Sequence, residues 1–145
     1  MPDLARIASH FCIGGEYQRA ERVRSGHINE GYAAWFRTTR GEARRYLLQR
    51  INHRVFSSPE RLMENMEAAT AHLRAKLKAT GGDPDCEALT LVRTVDGGVL
   101  HRTRSGEYWR VTLFIEGASS HEQAAGPGQV RSAGRAFGRF LALLS

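Results

Sequence analysis

Residues 25–31 and 46–50 read Ser25-Gly26-His27-Ile28-Asn29-Glu30-Gly31 and Tyr46-Leu47-Leu48-Gln49-Arg50. The first is turn chemistry set between two stretches of strand character; the second is an apolar run that closes on a polar and a charged residue. A glycine turn placed between two strands, not between a strand and a helix, offers backbone N–H groups that can fold over the phosphates of a nucleotide. A plain hairpin with glycine at positive φ accounts for the same residues. The spacing Gly26 to Gly31 matches a Walker loop, but Tyr32 and Ala33 stand where lysine and serine or threonine must follow, and no helix begins there. A Walker loop is therefore excluded.

Outward from this turn, strands are predicted approximately over residues 17–24, 32–38 and 44–51, with Thr39-Arg40-Gly41-Glu42 as the second turn. Upstream, Leu4, Ile7, Ala8 and Phe11 have helical spacing that Gly14-Gly15 ends. Downstream, Ser57-Ser58-Pro59-Glu60 provides a serine N-cap, a proline in the first turn and an early glutamate. The helix that follows carries Leu62, Met66, Ala69, Leu73 and Leu77 as its apolar stripe, has Lys76 and Lys78 near its C-terminal dipole, and stops at Gly81-Gly82.

Leu89–Thr94, Val99–Thr103 and Tyr108–Ile115 read as further strands, with Asp96-Gly97-Gly98 and Ser105-Gly106 as hairpin turns, and a last helix runs from about Gln129. Three strands, a long helix, two or three more strands and a helix indicate an α+β fold with an antiparallel sheet of five or six strands. A doubly wound parallel sheet needs helices between most of its strands, and this order lacks them.

The chain of 145 residues suits one unit spanning residues 1–145, with 41% apolar and 25% charged residues. No apolar run approaches the ~18 residues of a membrane span and residues 1–6 lack a signal-peptide stretch, so no membrane is expected and the cytoplasm is the expected compartment. Cys12 and Cys86 lie far apart, without zinc-binding spacing, and read as reduced structural thiols. The net charge of +6 suits an anionic partner. The arginines are dispersed, without a basic block or interleaved aromatics, so nucleic acid is not the expected one.

Phosphate chemistry needs a cation against nonbridging oxygens, supplied by a strand residue that a helix glutamate holds. Gln49 and Arg50 compete for that position. Adjacent strand residues face opposite sides, and Arg50, which carries the charge, is favoured. Among helix carboxylates, Glu64 falls nearly opposite the apolar stripe, whereas Glu67 lies near its border and is the expected partner; a solvated helix glutamate is the alternative. The run Phe114-Ile115-Glu116-Gly117 ends a strand and could serve as a hinge, offering backbone groups to an adenine edge while Phe114 or Ile115 lines its face.

Taken together, Gly26-His27-Ile28-Asn29, Tyr46-Leu47-Leu48-Gln49-Arg50-Ile51-Asn52, Leu62-Met63 with Asn65 and Glu67, Trp109-Arg110-Val111 into Phe114-Ile115-Glu116, and Ala136-Phe137-Gly138 carry a resemblance. The chain resembles the N-terminal lobe of the aminoglycoside phosphotransferase and choline kinase superfamily, most of all its N-acetylhexosamine 1-kinase branch. That resemblance implies a protein-kinase-like small lobe, ATP and magnesium (Mg2+), and transfer of the γ-phosphate to a small-molecule hydroxyl. In this branch the acceptor is the anomeric hydroxyl of an amino sugar. It also implies that Gly26, His27, Ile28 and Asn29 cover the phosphates, that Arg50 or Gln49 with Glu67 orient them, and that Phe114, Ile115, Glu116 and Gly117 form the adenine hinge.

The family's catalytic loop places histidine and aspartate close together, yet none of His10, His27, His53, His72, His101 or His121 is followed two places later by aspartate. Asp83-Pro84-Asp85 copies a paired-aspartate motif only in spacing and reads as loop chemistry. The catalytic aspartate and the Mg2+ ligands are thus expected in a C-terminal lobe that this sequence does not contain, and the chain alone is expected to be inactive. Val130, Ala133, Phe137, Phe140, Leu141 and Leu144 give the last helix a bulky apolar face, expected to lie against that lobe or a partner chain.

Two other readings fit parts of the sequence. A non-catalytic nucleotide-binding module shares every motif above. Ser57-Ser58-Pro59-Glu60-Arg61 also fits the core of a sulfatase signature, although its downstream threonine-glycine is missing and a helix start explains the serine, proline and glutamate.

Overall fold

A computed structural model describes all residues, 1–145. The elements run α1 (Leu4–Ala8), β1 (Glu16–Val23), β2 (Glu30–Arg37), β3 (Ala43–Ile51), α2 (Pro59–Ala79), α3 (Pro84–Glu87), β4 (His101–Arg102), β5 (Tyr108–Leu113) and α4 (Pro127–Leu144). The fold is α+β, built on one five-stranded antiparallel sheet in the order β1-β2-β3-β5-β4. The central strand β3 bonds to β2 on one side, from Ala43 opposite Arg37 to Arg50 opposite Glu30, and to β5 on the other, from Tyr46 opposite Leu113 to Ile51 opposite Tyr108.

Strand alternation divides the sheet into two faces of different character. The outer face carries Tyr32, Ala34, Phe36, Tyr46, Leu48, Trp109 and Val111, which with Leu4, Ile7, Ala8 and Phe11 of the N-terminal segment make the main core. Phe36 meets Tyr46 edge-on, ring centroids 5.5 Å apart, and Tyr17 meets Phe36 the same way at 5.6 Å. The inner face carries Gly31, Ala33, Leu47, Gln49, Ile51, Arg110 and Thr112 in register. Helix α2 lies across one end of it, where Met63 packs with Ile51 and Val99.

Helix α2 starts where expected, with Pro59 in its first turn, but the Ser58 side chain makes no capping hydrogen bond. Its buried positions are Pro59, Met63, Thr70, Leu73 and Leu77; Leu62 and Met66 are half-buried. The stripe is thus turned toward Met63 and Thr70, whose hydroxyl is satisfied by the Met66 carbonyl at 2.8 Å. The paired aspartates are helix-terminus chemistry: Asp83 caps α3 by accepting from the Asp85 N–H at 3.0 Å, and Asp85 pairs with Arg74.

The expected strand at 89–94 is not a strand. Its backbone touches β5 only through Val92 N–H to Val111 O and Leu113 N–H to Thr90 O, both at 2.9 Å, around a single bridge from Leu91 to Thr112, while Thr94 bridges Phe11 of the N-terminal segment. The segment enters along the edge of β5 and leaves it at once, because Thr94 turns back on Gly98. The expected strand at 99–103 shortens to His101–Arg102, which leaves five strands. Helix α4 buries no residue: Val130, Phe137, Phe140, Leu141 and Leu144 are exposed, and its hold on the body includes Leu143 against Leu73, Leu77 and Ala88, a hydrogen bond between His72 Nε2 and the Leu143 carbonyl at 3.1 Å, and an Arg139–Glu87 ion pair at 2.6 Å. No helix of the chain is long and apolar enough to cross a membrane.

Candidate functional site

The glycine turn spans residues 24–29 between β1 and β2. Gly26 holds φ at +96°, a conformation that side chains oppose, and its turn is otherwise exposed through His27 and Ile28. Asn29 anchors it: its Oδ1 accepts a hydrogen bond from the Asn52 N–H at 2.9 Å, just past the end of β3. Beneath the turn lies an open cavity of about 350 Å³ whose lining includes Val23, Gly31, Leu47 and Gln49. The glycine turn and the inner face therefore share one space.

Gln49, not Arg50, faces that space. Arg50 points from the outer side of β3, where it pairs with Glu30 at 2.5 Å and with Glu107. Burial opposes its charge, but hydrogen bonds to Glu107 and Glu30 together outweigh this and raise its pKa above that of ordinary arginine. The same contact, the hydrogen bond from Arg50 first, holds the Glu30 carboxyl below the usual range. The expected pairing of Arg50 with Glu67 is thereby corrected: the two lie on opposite faces of the sheet, and Glu67 pairs with Arg93. Charge decided the sequence reading, whereas strand alternation decides the geometry.

The cation beside Gln49 on the inner face is Arg110, one strand over. Its register partner on β3 is Gln49, and its Nε donates to Gln49 Oε1 at 3.0 Å. Its Nη1 points between two sulfurs of α2, Met66 Sδ at 3.1 Å and Met63 Sδ at 3.9 Å. Burial pushes the Arg110 guanidinium below its ordinary pKa. In the sequence, Arg110 stands out only as part of a strand. Its place on the inner face follows from pairing with Gln49 across the β3–β5 ladder, which no local pattern in the sequence signals.

At the other end of the same face, β5 gives way to Phe114-Ile115-Glu116-Gly117. The Phe114 N–H is bonded to the Arg45 carbonyl at 3.1 Å, and the backbone groups of Ile115, Glu116 and Gly117 take no backbone partner. Phe114 does not present a bare ring, since the Arg45 guanidinium lies 4.1 Å from its centroid. Glu116 fixes that arginine from below, accepting from Arg45 Nε at 2.7 Å and from a second guanidinium nitrogen, which lowers the Glu116 pKa. Of these four residues, Glu116 thus serves to hold Arg45 against Phe114.

From Gln49 to Arg45 the central strand advances four residues, about 13 Å at 3.2–3.4 Å per residue. Between these ends the face carries Gly31, Ala33, Leu47 and Thr112, small or apolar, of which Leu47 is half-buried and the other three are buried. Glu30 is paired with Arg50, and Glu67 on α2 with Arg93. No known family model matches this chain.

Proposed function

We propose that this chain is a nucleotide-binding small lobe that takes ATP along the inner face of its sheet. The phosphates lie under the turn of Gly26, His27, Ile28 and Asn29, and the adenine lies against the free backbone edge of Ile115, Glu116 and Gly117. The observation that carries this reading is the pairing of those two features at opposite ends of one lean strip of sheet. The about 13 Å between them fits an extended nucleoside triphosphate. Gln49 sits at the phosphate end and Leu47 along the strip, which suits them to orient the tail and floor the ring.

Phosphotransfer to a small-molecule hydroxyl follows from the sequence resemblance, and with it an amino-sugar acceptor and Mg2+. Neither a catalytic base nor metal ligands are assigned within this chain. A large lobe or partner chain would supply both, seated on the exposed face of α4 that Val130, Phe137, Phe140, Leu141 and Leu144 form. Calorimetric titration of the chain with ATP, adenosine and GTP tests the nucleotide reading. ATP is expected to bind at least about tenfold tighter than GTP, a difference of about 1.4 kcal/mol. Equal binding of ATP and GTP would remove the adenine hinge from the reading, and no binding of either would end it.

A further inference from the structure

Arginine stays protonated in proteins, so burial cannot relieve Arg110 by neutralising it. A charge withdrawn from water is costly unless an anion and further hydrogen bonds compensate it. Arg110 has none of the usual compensation. The chain's seven ion pairs involve Arg19, Arg45, Arg50 twice, Arg74, Arg93 and Arg139, but not Arg110. Its partners are a neutral amide oxygen and two thioether sulfurs, which are weak acceptors. Glu67, the α2 carboxylate one residue from Met66, is drawn away by Arg93. The guanidinium fork is therefore fixed in direction and short of an anion.

We propose that Arg110 is the phosphate-binding cation of this site, delivered from β5 and held in register by Gln49. In protein kinases a lysine on the third strand does this work, positioned by a helix glutamate. Here the inward position of β3 holds Gln49, which contributes no charge but orients the guanidinium of its neighbour through a 3.0 Å bond. Gln49 is the positioning residue, lining the cavity under the glycine turn while it fixes Arg110. With Nε committed to Gln49 and Nη1 set between the sulfurs, Nη2 is the guanidinium nitrogen left without a partner, and it is the one that would donate to a phosphate oxygen. This inference rests on the nucleotide reading above.

The test measures binding of ATP, adenosine and inorganic tripolyphosphate to the intact chain and to Arg110→Met, Arg110→Lys and Gln49→Leu. Arg110→Met places a third thioether beside Met63 and Met66 and removes an uncompensated charge, so the fold should be kept; circular dichroism and urea unfolding verify this. The expected result is a loss of ATP affinity of tenfold or more in Arg110→Met with adenosine affinity unchanged, partial recovery in Arg110→Lys, and a smaller loss in Gln49→Leu. Unchanged ATP affinity in a folded Arg110→Met overturns the assignment and leaves the nucleotide reading standing. If the intact chain binds tripolyphosphate but not adenosine, and Arg110→Met abolishes this, the anion site stands and the nucleotide reading falls. If the intact chain binds none of the three, both fall.

Discussion

Asn29 and Asn52 tie the glycine turn to the far end of the central strand through one side-chain-to-backbone hydrogen bond of 2.9 Å. Without it, residues 24–29 would be joined to the sheet only at their two ends. Asn29→Ala is expected to cost about 1 kcal/mol of stability. Its larger effect should be on the turn, as faster hydrogen exchange at the Asn52 amide and a several-fold weaker hold on ATP. Unchanged exchange at Asn52 would show that the bond does not restrain the turn in solution.

Arg50 is expected to matter for stability and not for phosphate. Its removal leaves Glu30 and Glu107 facing each other without a counter-charge, and because all three side chains are about a third exposed, Arg50→Met should cost about 1 kcal/mol at pH 7. The pKa of Glu30 is lowered in the folded chain, so its contribution is present above the unfolded value of about 4.3 and is lost as pH falls through the folded value. Urea unfolding at pH 7 and pH 3 should therefore show the deficit of Arg50→Met shrinking in acid, while tripolyphosphate affinity at pH 7 stays at the level of the unaltered chain.

His10 and His101 stack face to face with centroids 3.9 Å apart and planes 13° apart. Burial first, and then the charge of His10, lowers the His101 pKa from its reference of 6.5, with Asp96 opposing the shift. The unfolded chain then binds more protons than the folded one as pH drops below about 6.5, so stability falls with acid across that range. In His10→Phe, which keeps a stacked ring and removes the like charge, the fall between pH 7 and pH 5 should be shallower. An identical slope in the two proteins would place the acid sensitivity elsewhere.

Thr112 buries its hydroxyl on the inner face without a hydrogen-bond partner. Valine has the same shape and a better strand propensity. Thr112→Val should stabilise the chain by about 1 kcal/mol, read as a higher urea midpoint at unchanged slope.

Helix α4 hangs on Leu143. Leu143→Ala removes the contact with Leu73, Leu77 and Ala88, and should release the protection of α4 amides by ten- to a hundredfold while the β2–β3 amides keep theirs. Loss of protection throughout the sheet would instead make α4 part of the cooperative core.

The ladder β1-β2-β3 and the long helix were legible because each is a local pattern: alternating apolar residues broken by glycine turns, then a helical stripe opened by Pro59 and stopped by Gly81-Gly82. The segment 89–94 misleads because strand composition does not require a full ladder; it bonds twice to β5 around Leu91 and then crosses to the N-terminal segment, where Thr94 is buried opposite Phe11. In the candidate site, residue type and spacing single out the turn at residues 24–29 and the run Phe114-Ile115-Glu116-Gly117. Arg50 was preferred over Gln49 on its charge, yet which of two neighbours faces inward depends on register with β2 and β5, a non-local property. Arg110 went unassigned for the same reason, since its counterpart lies 61 positions away along the chain.

The double pairing of β3 restricts how this surface can diversify. A single-residue deletion at Arg44 or Arg45, with the start of β3 held in register, would slide the rest of the strand by one place against both neighbours, swinging Arg50 inward, carrying Leu48 and Tyr46 out of the core, and unseating Gln49 from Arg110. Descendants of this sequence should therefore vary the pocket by exchanging side chains at fixed length, and absorb insertions in the exposed turn at Arg40-Gly41-Glu42, where the chain leaves the sheet before β3 begins.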